Sequence, residues 1–444
     1  MRRVVIAIVA GVAVLGVGIF AWLVFAPGPL AFAGGETVAL ADYHEAGPTG
    51  VPPALAEADI VKRGEYLAKA ADCMVCHTAP GGSAYAGGLT FPLPFGTLYS
   101  TNITADKNTG IGDYTDQEFL NAVQLGVRKD GARLYPGMPY TSYTFMSDDD
   151  VLAIKAYLFS LPAIDRENQK NTLIFPFNQR WGMIFWSWAF SPNTRFSPNT
   201  SKSAEWNRGA YLVEALAHCG DCHTPRNLAF ALDNRRKFAG AFTAGWRAYN
   251  ITSDGGAGIG AWTDEELSSY LSEGHAVGRG TASGPMAEAV DHSFSQLEPE
   301  DIRAIVTYLR SIPAVSASET STVAPPAPAS PREGNAVTNS LGSRVFEQAC
   351  ASCHGWTGVS PLSPFATISG TRAVNDPTAT NVAQIVISGT RRLAPGTMSM
   401  PAFGSTYSDA EIAAVANYVT GRFGSTASQL TADDVTELRS QTAQ

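Results

Sequence analysis

The use of cysteine is the feature that most constrains this chain. All six cysteines occur in three copies of the pattern C-x-x-C-H. The copies are Cys73-Met74-Val75-Cys76-His77, Cys219-Gly220-Asp221-Cys222-His223 and Cys350-Ala351-Ser352-Cys353-His354. The pattern signals attachment of c-type haem, because its two thiols reach the two vinyl groups of one porphyrin and the following histidine can ligate the iron. The sequence therefore predicts three covalently bound haem c groups.

Paired cysteines have other uses, namely a thioredoxin-like redox couple, half of a zinc site, and a disulfide in an exported protein. A redox couple does not require a histidine after every second cysteine. Zinc would need a second pair of ligands near each motif. We therefore predict haem at all three sites, with His77, His223 and His354 as the proximal iron ligands.

The first two motifs lie in a duplicated unit. Arg63-Gly64-Glu65-Tyr66-Leu67 precedes the first motif as Arg208-Gly209-Ala210-Tyr211-Leu212 precedes the second, and Asn102-Ile103-Thr104 is repeated as Asn250-Ile251-Thr252. In each unit apolar residues at i, i+3 and i+4 spacing predict a closing helix. Capping boxes are predicted at Thr115 with Glu118, Thr263 with Glu266, and Ser408 with Glu411. The patterns indicate a mainly α fold.

A methionine thioether is the expected second axial ligand, because it favours ferrous iron. Met138, Met286 and Met400 each stand beside a proline, which holds the neighbouring backbone extended. Met398 is the alternative to Met400 in the third unit. His275 and His292 are alternatives in the second unit, although the first unit has no histidine at the matching positions.

The N-terminus predicts membrane attachment. Arg2 and Arg3 are followed by an uncharged run from Val4 to Ala26, which is long enough to cross a hydrocarbon core as a helix. The two arginines place the following chain on the outer side of the membrane. A cleaved signal peptide ending near Ala33 is the competing interpretation, and it exports the protein as well.

The composition divides the chain into seven segments. They are an anchor or signal (1–35), cytochrome c domain 1 (58–163), an aromatic-rich connector (164–204), cytochrome c domain 2 (205–313), a Pro/Ala/Ser linker (314–338), cytochrome c domain 3 (339–424) and a polar tail (425–444). We expect the tail to fray. We expect the connector either to dock on lipid or on another protein, or to pack across the first two domains.

The run from Gly87 to Thr104 and the segment Tyr135-Pro136-Gly137-Met138-Pro139-Tyr140, together with the three haem motifs, resemble a known family. They are similar to the tri-haem cytochrome c subunits of bacterial membrane-bound alcohol, aldehyde, gluconate, sorbitol and fructose dehydrogenases. The resemblance covers about residues 58 to 424. It implies three tandem class I-type cytochrome c domains after an N-terminal transmembrane helix, with Met138, Met286 and Met400 as distal ligands.

The resemblance also implies a division of labour. A separate catalytic subunit would oxidise the substrate at pyrroloquinoline quinone, flavin or molybdenum, and this chain would carry the electrons to ubiquinone. The haem domains would lie on the periplasmic side of the inner membrane. The long hydrophobic start is more like that of cytochromes paired with molybdenum enzymes than that of the alcohol-oxidising relatives, so the type of partner stays open.

Two other functions are compatible with three haem motifs. One is a freestanding, membrane-anchored carrier to a terminal oxidase, and the other is a haem enzyme with an open axial site, such as a peroxidase. The sequence offers no nucleophile–base constellation and no nucleotide-binding glycine pattern, so we expect no substrate oxidation by this chain alone. The net charge of −9 without a long basic run argues against a nucleic-acid partner.

Overall fold

A computed structural model describes residues 2–24, 37–39, 48–191, 193–316, 340–390 and 398–442. For residues 19–24 and 37–39 it describes the backbone alone. Most of the predicted linker (314–338) and the candidate signal cleavage site near Ala33 lie outside the described residues. The predicted domain boundaries therefore stay predictions.

The described chain is mainly helical. Its α-helices are α1 (Arg2–Val24), α2 (Ile60–Ala70), α3 (Cys73–Cys76), α4 (Asp116–Leu125), α5 (Tyr140–Tyr143), α6 (Asp148–Ser160), α7 (Gly182–Phe190), α8 (Ala204–Tyr211), α9 (Gly220–His223), α10 (Asp264–Glu273), α11 (Pro285–His292), α12 (Pro299–Ser311), α13 (Leu341–Val345), α14 (Ala351–His354), α15 (Thr380–Ser388), α16 (Asp409–Phe423) and α17 (Ala432–Gln441). The predicted capping boxes are confirmed at the starts of α4, α10 and α16.

The strands are short and pair as antiparallel hairpins or bridges. They are β1 (Thr37–Ala39), β2 (Thr90–Leu93), β3 (Gly96–Tyr99), β4 (Thr194–Phe196), β5 (Ala241–Thr243), β6 (Trp246–Ala248), β7 (His275–Ala276) and β8 (Gly280–Thr281). β2 pairs with β3 and β5 pairs with β6, each shortly after a haem motif. β1 pairs with β4, and β7 pairs with β8.

One helix crossing occurs three times. α2 crosses α6, α8 crosses α12, and α13 crosses α16. The crossing point is a glycine in each case, namely Gly64, Gly209 or Gly342, and a Cβ atom there would overlap a backbone carbonyl of the partner helix. A tyrosine of the partner helix lies beside each of these glycines. The structure thus places the same supersecondary unit before each haem motif, and two of these glycines belong to the repeats seen in the sequence.

The first two units share one hydrophobic core, whereas the third has its own. Their junction is reciprocal. The hydroxyl of Tyr66 donates to Asp301 at 2.7 Å, and the hydroxyl of Tyr211 donates to Asp150 at 2.7 Å. Each aspartate also pairs with an arginine of its own unit, Asp301 with Arg208 and Asp150 with Arg63. The duplicated sequence has therefore produced a contact with approximate twofold symmetry.

Helix α7 of the aromatic connector packs one face against the protein and exposes the other to solvent. Trp186 of α7 donates from its indole nitrogen to the carbonyl of Ala229 at 2.8 Å, which fixes the inner face of the helix. On the outer face Trp181, Phe185 and Trp188 are 64%, 66% and 71% exposed. The packing role of the connector is present in the structure, and its docking role stays a prediction.

The expectation of a frayed tail is wrong. Residues 432–441 form α17, which begins with a capping box of Thr431 and Asp434. Val435 and Leu438, one helical turn apart, are buried against the third unit. Arg439 adds an ion pair with Asp409 at 2.5 Å. The i, i+3 spacing of the two apolar residues was a signal that the overall composition of the tail hides.

Helix α1 coincides with the uncharged N-terminal run, and its side chains are described as far as Gly18. Among the described residues, no helix meets the length and hydropathy required of a membrane span. The predicted N-terminal transmembrane helix therefore stays a prediction.

Candidate haem sites

Each haem motif forms a single helical turn. α3 carries Cys73 and Cys76, α9 ends at His223, and α14 ends at His354. A helical turn places residues i and i+3 on one face, so the two thiols of each motif lie on one side. All six thiols are free and half-buried. The local backbone therefore presents each pair as the haem attachment chemistry requires.

The thiols do not have the electrostatics of a reactive redox couple. Burial raises the pKa of Cys222 to about 11 and that of Cys350 to about 11. Burial also raises the pKa of Cys73 and of Cys219, each to about 12. Reactive cysteines have a lowered pKa, because the thiolate is the nucleophile. These protonated thiols argue against the thioredoxin-like interpretation.

All three motif histidines are held in the same way. The Nδ1 atom donates to a backbone carbonyl, from His77 to Thr101 at 2.7 Å. His223 donates to Tyr249 at 2.6 Å, and His354 donates to Ala366 at 2.6 Å. Such a bond fixes the ring orientation and the tautomer, and leaves Nε2 as the nitrogen that can bind iron. Burial lowers the pKa of each of the three histidines, which favours the neutral imidazole that ligation requires.

The repeated Asn-Ile-Thr sequence explains how these carbonyls are positioned. Asn102 directly follows Thr101, and its Oδ1 accepts from the backbone N–H of Thr104 at 2.9 Å. Its Nδ2 donates to the carbonyl of Ile164 at 2.7 Å. Asn250, which follows Tyr249, makes the same turn and donates to Val315 at 2.8 Å. The repeat was visible in the sequence, but its role as a brace for the proximal histidine was not.

The predicted distal methionines are half-buried on the same cores as their cysteines. Met138 and Met286 pack against the shared core of the first two units, as do Cys73 and Cys219. In the third unit, Met400 packs against the core that also contacts Cys350. Met400 is held by paired backbone hydrogen bonds with Thr390 at 2.9 and 3.0 Å. Met398 also lines the adjacent cavity, so the distal assignments stay predictions.

The alternative histidine ligands of the second unit have other neighbours. The ring of His275 lies 4.7 Å from that of Phe365 in the third unit, and its Nδ1 is 2.9 Å from the Thr281 hydroxyl. His292 lines a separate small cavity of about 250 Å³ with Tyr85. Both histidines make packing contacts. The choice of Met286 over them as the distal ligand stays a prediction.

The second and third motifs open into one large apolar cavity of about 2100 Å³. Its walls include both cysteines, the motif histidine and the candidate methionine of each of the two sites, and Cys76 of the first. Ordinary ligand pockets have volumes of roughly 300–1,000 Å³, so this cavity has room for more than one large cofactor. The volume, the free thiols and the oriented imidazoles all fit covalently bound haem.

Comparisons with known proteins agree with this geometry. The family model for cytochrome c matches residues 61–162, and that for cytochrome c oxidase, cbb3-type, subunit III matches residues 338–419. The chain is 39% identical to the fructose dehydrogenase cytochrome subunit of Gluconobacter japonicus over 88% of this chain and 85% of the relative. It is 38% identical to the gluconate 2-dehydrogenase cytochrome c subunit of Pantoea cypripedii, over 86% and 89%.

A third relative is the cytochrome c subunit of the quinone-dependent alcohol dehydrogenase of Gluconacetobacter polyoxogenes. It is 34% identical over 86% of this chain and 85% of the relative. The likeness thus extends over nearly the whole length of these proteins. The chain belongs to the family of dehydrogenase cytochrome c subunits, as the resemblance of its motifs predicted.

Proposed function

We propose that this protein is the tri-haem electron-transfer subunit of a membrane-bound dehydrogenase. It would take electrons from a separate catalytic subunit that oxidises an alcohol, aldehyde or sugar, and pass them to ubiquinone. The observation that carries the proposal is the threefold occurrence of one arrangement, in which a paired-thiol helical turn is followed by a histidine whose Nδ1 is held by a carbonyl. It supports three tandem class I-type cytochrome c domains.

Each residue set has a defined task. The six motif cysteines would hold the three haems covalently, and His77, His223 and His354 would bind iron from one side. Met138, Met286 and Met400 would bind from the other side and favour the reduced state. Haem c supplies one-electron redox chemistry at each site. The apolar walls around the sites would disfavour the additional positive charge of ferric iron and so raise the reduction potentials.

The first and second motifs are connected by two neighbouring side chains. The hydroxyl of Ser142 donates to Asp221, inside the second motif, at 2.8 Å. The hydroxyl of Tyr143 donates to the carbonyl of Ala71, just before the first motif, at 2.6 Å. This hydrogen-bonded connection between the two motifs supports electron transfer within the chain. The cavity shared by the second and third motifs supports a continuation of the same path.

We further propose that the chain is anchored in the bacterial inner membrane with its haem domains in the periplasm. The uncharged run from Val4 to Ala26 supports the anchor, and the described side chains of α1 are exposed. Arg2 and Arg3 support the outward orientation. The exposed outer face of α7 offers aromatic side chains of the kind that occur at membrane and protein interfaces.

Isolation from native membranes tests the proposal. The complex is solubilised in mild detergent, purified through this cytochrome, and its components are identified by mass spectrometry. We expect a large catalytic subunit whose substrate reduces the haems and whose cofactor identifies it as a pyrroloquinoline quinone, flavin or molybdenum enzyme. A cytochrome that comes away alone, and that no alcohol, aldehyde or sugar reduces in membranes, would contradict the proposal and favour a freestanding carrier.

A further inference from the structure

The contacts of the third unit with the second include a short segment, residues 245–250, which contains β6. Nε2 of Gln384 donates to the carbonyl of Gly245 at 3.0 Å. The side chain of Asn381 accepts from the backbone N–H of Arg247 at 2.8 Å and donates to its carbonyl at 3.0 Å. The segment contains Tyr249, whose carbonyl holds the Nδ1 atom of His223. The third unit therefore binds the segment whose Tyr249 carbonyl orients His223, the proximal histidine of the second site.

Charged side chains complete this contact. Arg247 forms an ion pair with Asp376 at 2.6 Å, and the hydroxyl of Tyr249 donates to the same carboxylate at 3.3 Å. The guanidinium carbon of Arg372 lies 4.4 Å from the centre of the Tyr249 ring. Arg372 also donates to the carbonyl of Asn250 at 3.3 Å and to that of Ala257. A cation and an anion from the third unit thus flank the tyrosine that holds His223.

The first site takes similar support from the connector that follows its own domain. There the backbone N–H of Tyr99 donates to Asn171 at 3.0 Å, and that of Asn102 donates to Asn168 at 2.7 Å. Arg166 donates to the carbonyl of Gly87 beside them. The three side chains that form these bonds, Asn171, Asn168 and Arg166, belong to the connector. In the second site Asn381 of the third unit takes the place of Asn171, because it accepts from the backbone N–H of Arg247 at 2.8 Å. Part of the support of the second site therefore comes from the docked third unit.

The charge on Arg372 has a predictable electrostatic effect. Burial lowers the pKa of Arg372 to about 10, so its guanidinium is still a cation at neutral pH. A fixed cation near a haem disfavours the additional positive charge of ferric iron and raises the reduction potential. The carboxylate of Asp376 acts in the opposite sense. Both effects are strengthened because the contact is shielded from water.

We propose that Arg372 is a positioning residue that raises the potential of the second haem, and that the third unit supplies it to that site on docking. The inference rests on the second haem of the proposed function. In addition to carrying its own redox centre, the third unit would influence how electrons distribute between the first and second haems.

Potentiometric titration of the purified full-length protein, followed by its visible spectrum, tests this inference. The wave of the second haem is identified as the one that Met286→Ala displaces. We expect Arg372→Gln to shift that wave to lower potential and to leave the wave displaced by Met138→Ala in place. Arg372→Lys should restore most of the native value, because it keeps the charge.

Two further variants separate charge from packing. Asp376→Asn removes an anion from the same contact and should shift the second wave to higher potential. If both substitutions merely loosened the interface, they would shift the potential of the second wave in the same direction. That result would overturn the inference. Arg303→Gln is the matched control, because Arg303 is 60% exposed and pairs with Glu300 on the surface of α12, and it should shift nothing.

The outcomes also distinguish the inference from the function on which it depends. An unchanged second wave in Arg372→Gln, at native haem content, would overturn the inference alone. If Arg372→Gln does not accumulate, the sign of the Asp376→Asn shift decides, and a zero or negative shift overturns the inference. A native protein with fewer than three haems would overturn the proposed function and this inference with it.

Discussion

At the scale of single residues, the motif histidines are prepared for ligation by backbone groups that lie 12 to 26 residues further along the chain. The identity of the histidines could be predicted from the sequence, because C-x-x-C-H is a local pattern. Their partners could not, because a carbonyl acceptor has no side-chain signature. The Asn-Ile-Thr repeat directly follows two of the three carbonyl acceptors. The third site uses Ala366 without that repeat, and its brace could not have been predicted.

Replacement of a distal methionine is the most direct prediction at this scale. Met138→Ala and Met286→Ala should each lower one midpoint potential, because the thioether favours ferrous iron. Axial ligands span a range of roughly 0.8 V, so the shift should be easily measured. The reduced variant should also bind carbon monoxide at one haem. Met146→Ala is the control, because Met146 is fully buried core, and it should leave all three potentials in place. An unchanged titration in Met138→Ala would mean that the ligand is wrongly assigned.

At the scale of elements, helix starts were predictable and helix crossings were not. Each capping box needs only two residues three positions apart, and the three predicted boxes all begin helices. The glycine at each crossing was conspicuous in the repeat of the first two units, yet its role depends on a helix about 90 residues away. π-Helical turns lead into the second and third motifs, at Leu212–Leu216 and Phe346–Cys350, and no pattern indicated them.

The crossing glycines make a stability prediction. In Gly209→Ala the new Cβ would overlap the carbonyl of Ala304, so α8 and α12 must separate. Overpacking of this kind costs about 1–3 kcal/mol. The midpoint temperature of the first thermal unfolding transition of Gly209→Ala, followed by circular dichroism, should be lower than that of the native protein. Gly182→Ala at the start of α7 is the control, because its Cβ meets nothing within 4 Å. Equal melting of the two variants would contradict the close approach of these helices.

At the scale of the whole molecule, the units are joined by buried polar contacts that no single unit could reveal. The first and second units meet through the reciprocal tyrosine–aspartate hydrogen bonds. The third unit binds the segment of the second unit that orients the proximal histidine. The sequence predicted three units, because the haem motif occurs three times and a repeat of the first two is visible without knowledge of contacts. The Pro/Ala/Ser linker before the third unit gave no sign that this unit docks on the second. The docking of that unit depends on Asp376, Asn381 and Gln384, which carry no local signal.

The junction of the first two units should be sensitive to one carboxylate. Asp301 is buried with Arg208 and accepts from Tyr66, so Asp301→Ala leaves a buried cation without its partner. Such a loss typically costs about 3–5 kcal/mol. The free energy of unfolding, measured by denaturant titration, should fall by that amount. Glu300→Ala on the same helix removes an exposed ion pair with Arg303 and should cost less than about 1 kcal/mol. Equal effects would show that the reciprocal contact contributes little.

The central claim is that one chain carries three haems as three one-electron centres. The measurement that tests it most directly combines the intact mass of the purified protein with a coulometric redox titration. We predict the mass of the polypeptide plus three haem groups, and three electrons taken up per chain. Two haems or two electrons per chain would contradict the assignment of one of the three C-x-x-C-H motifs and, with it, the tri-haem account of electron transfer.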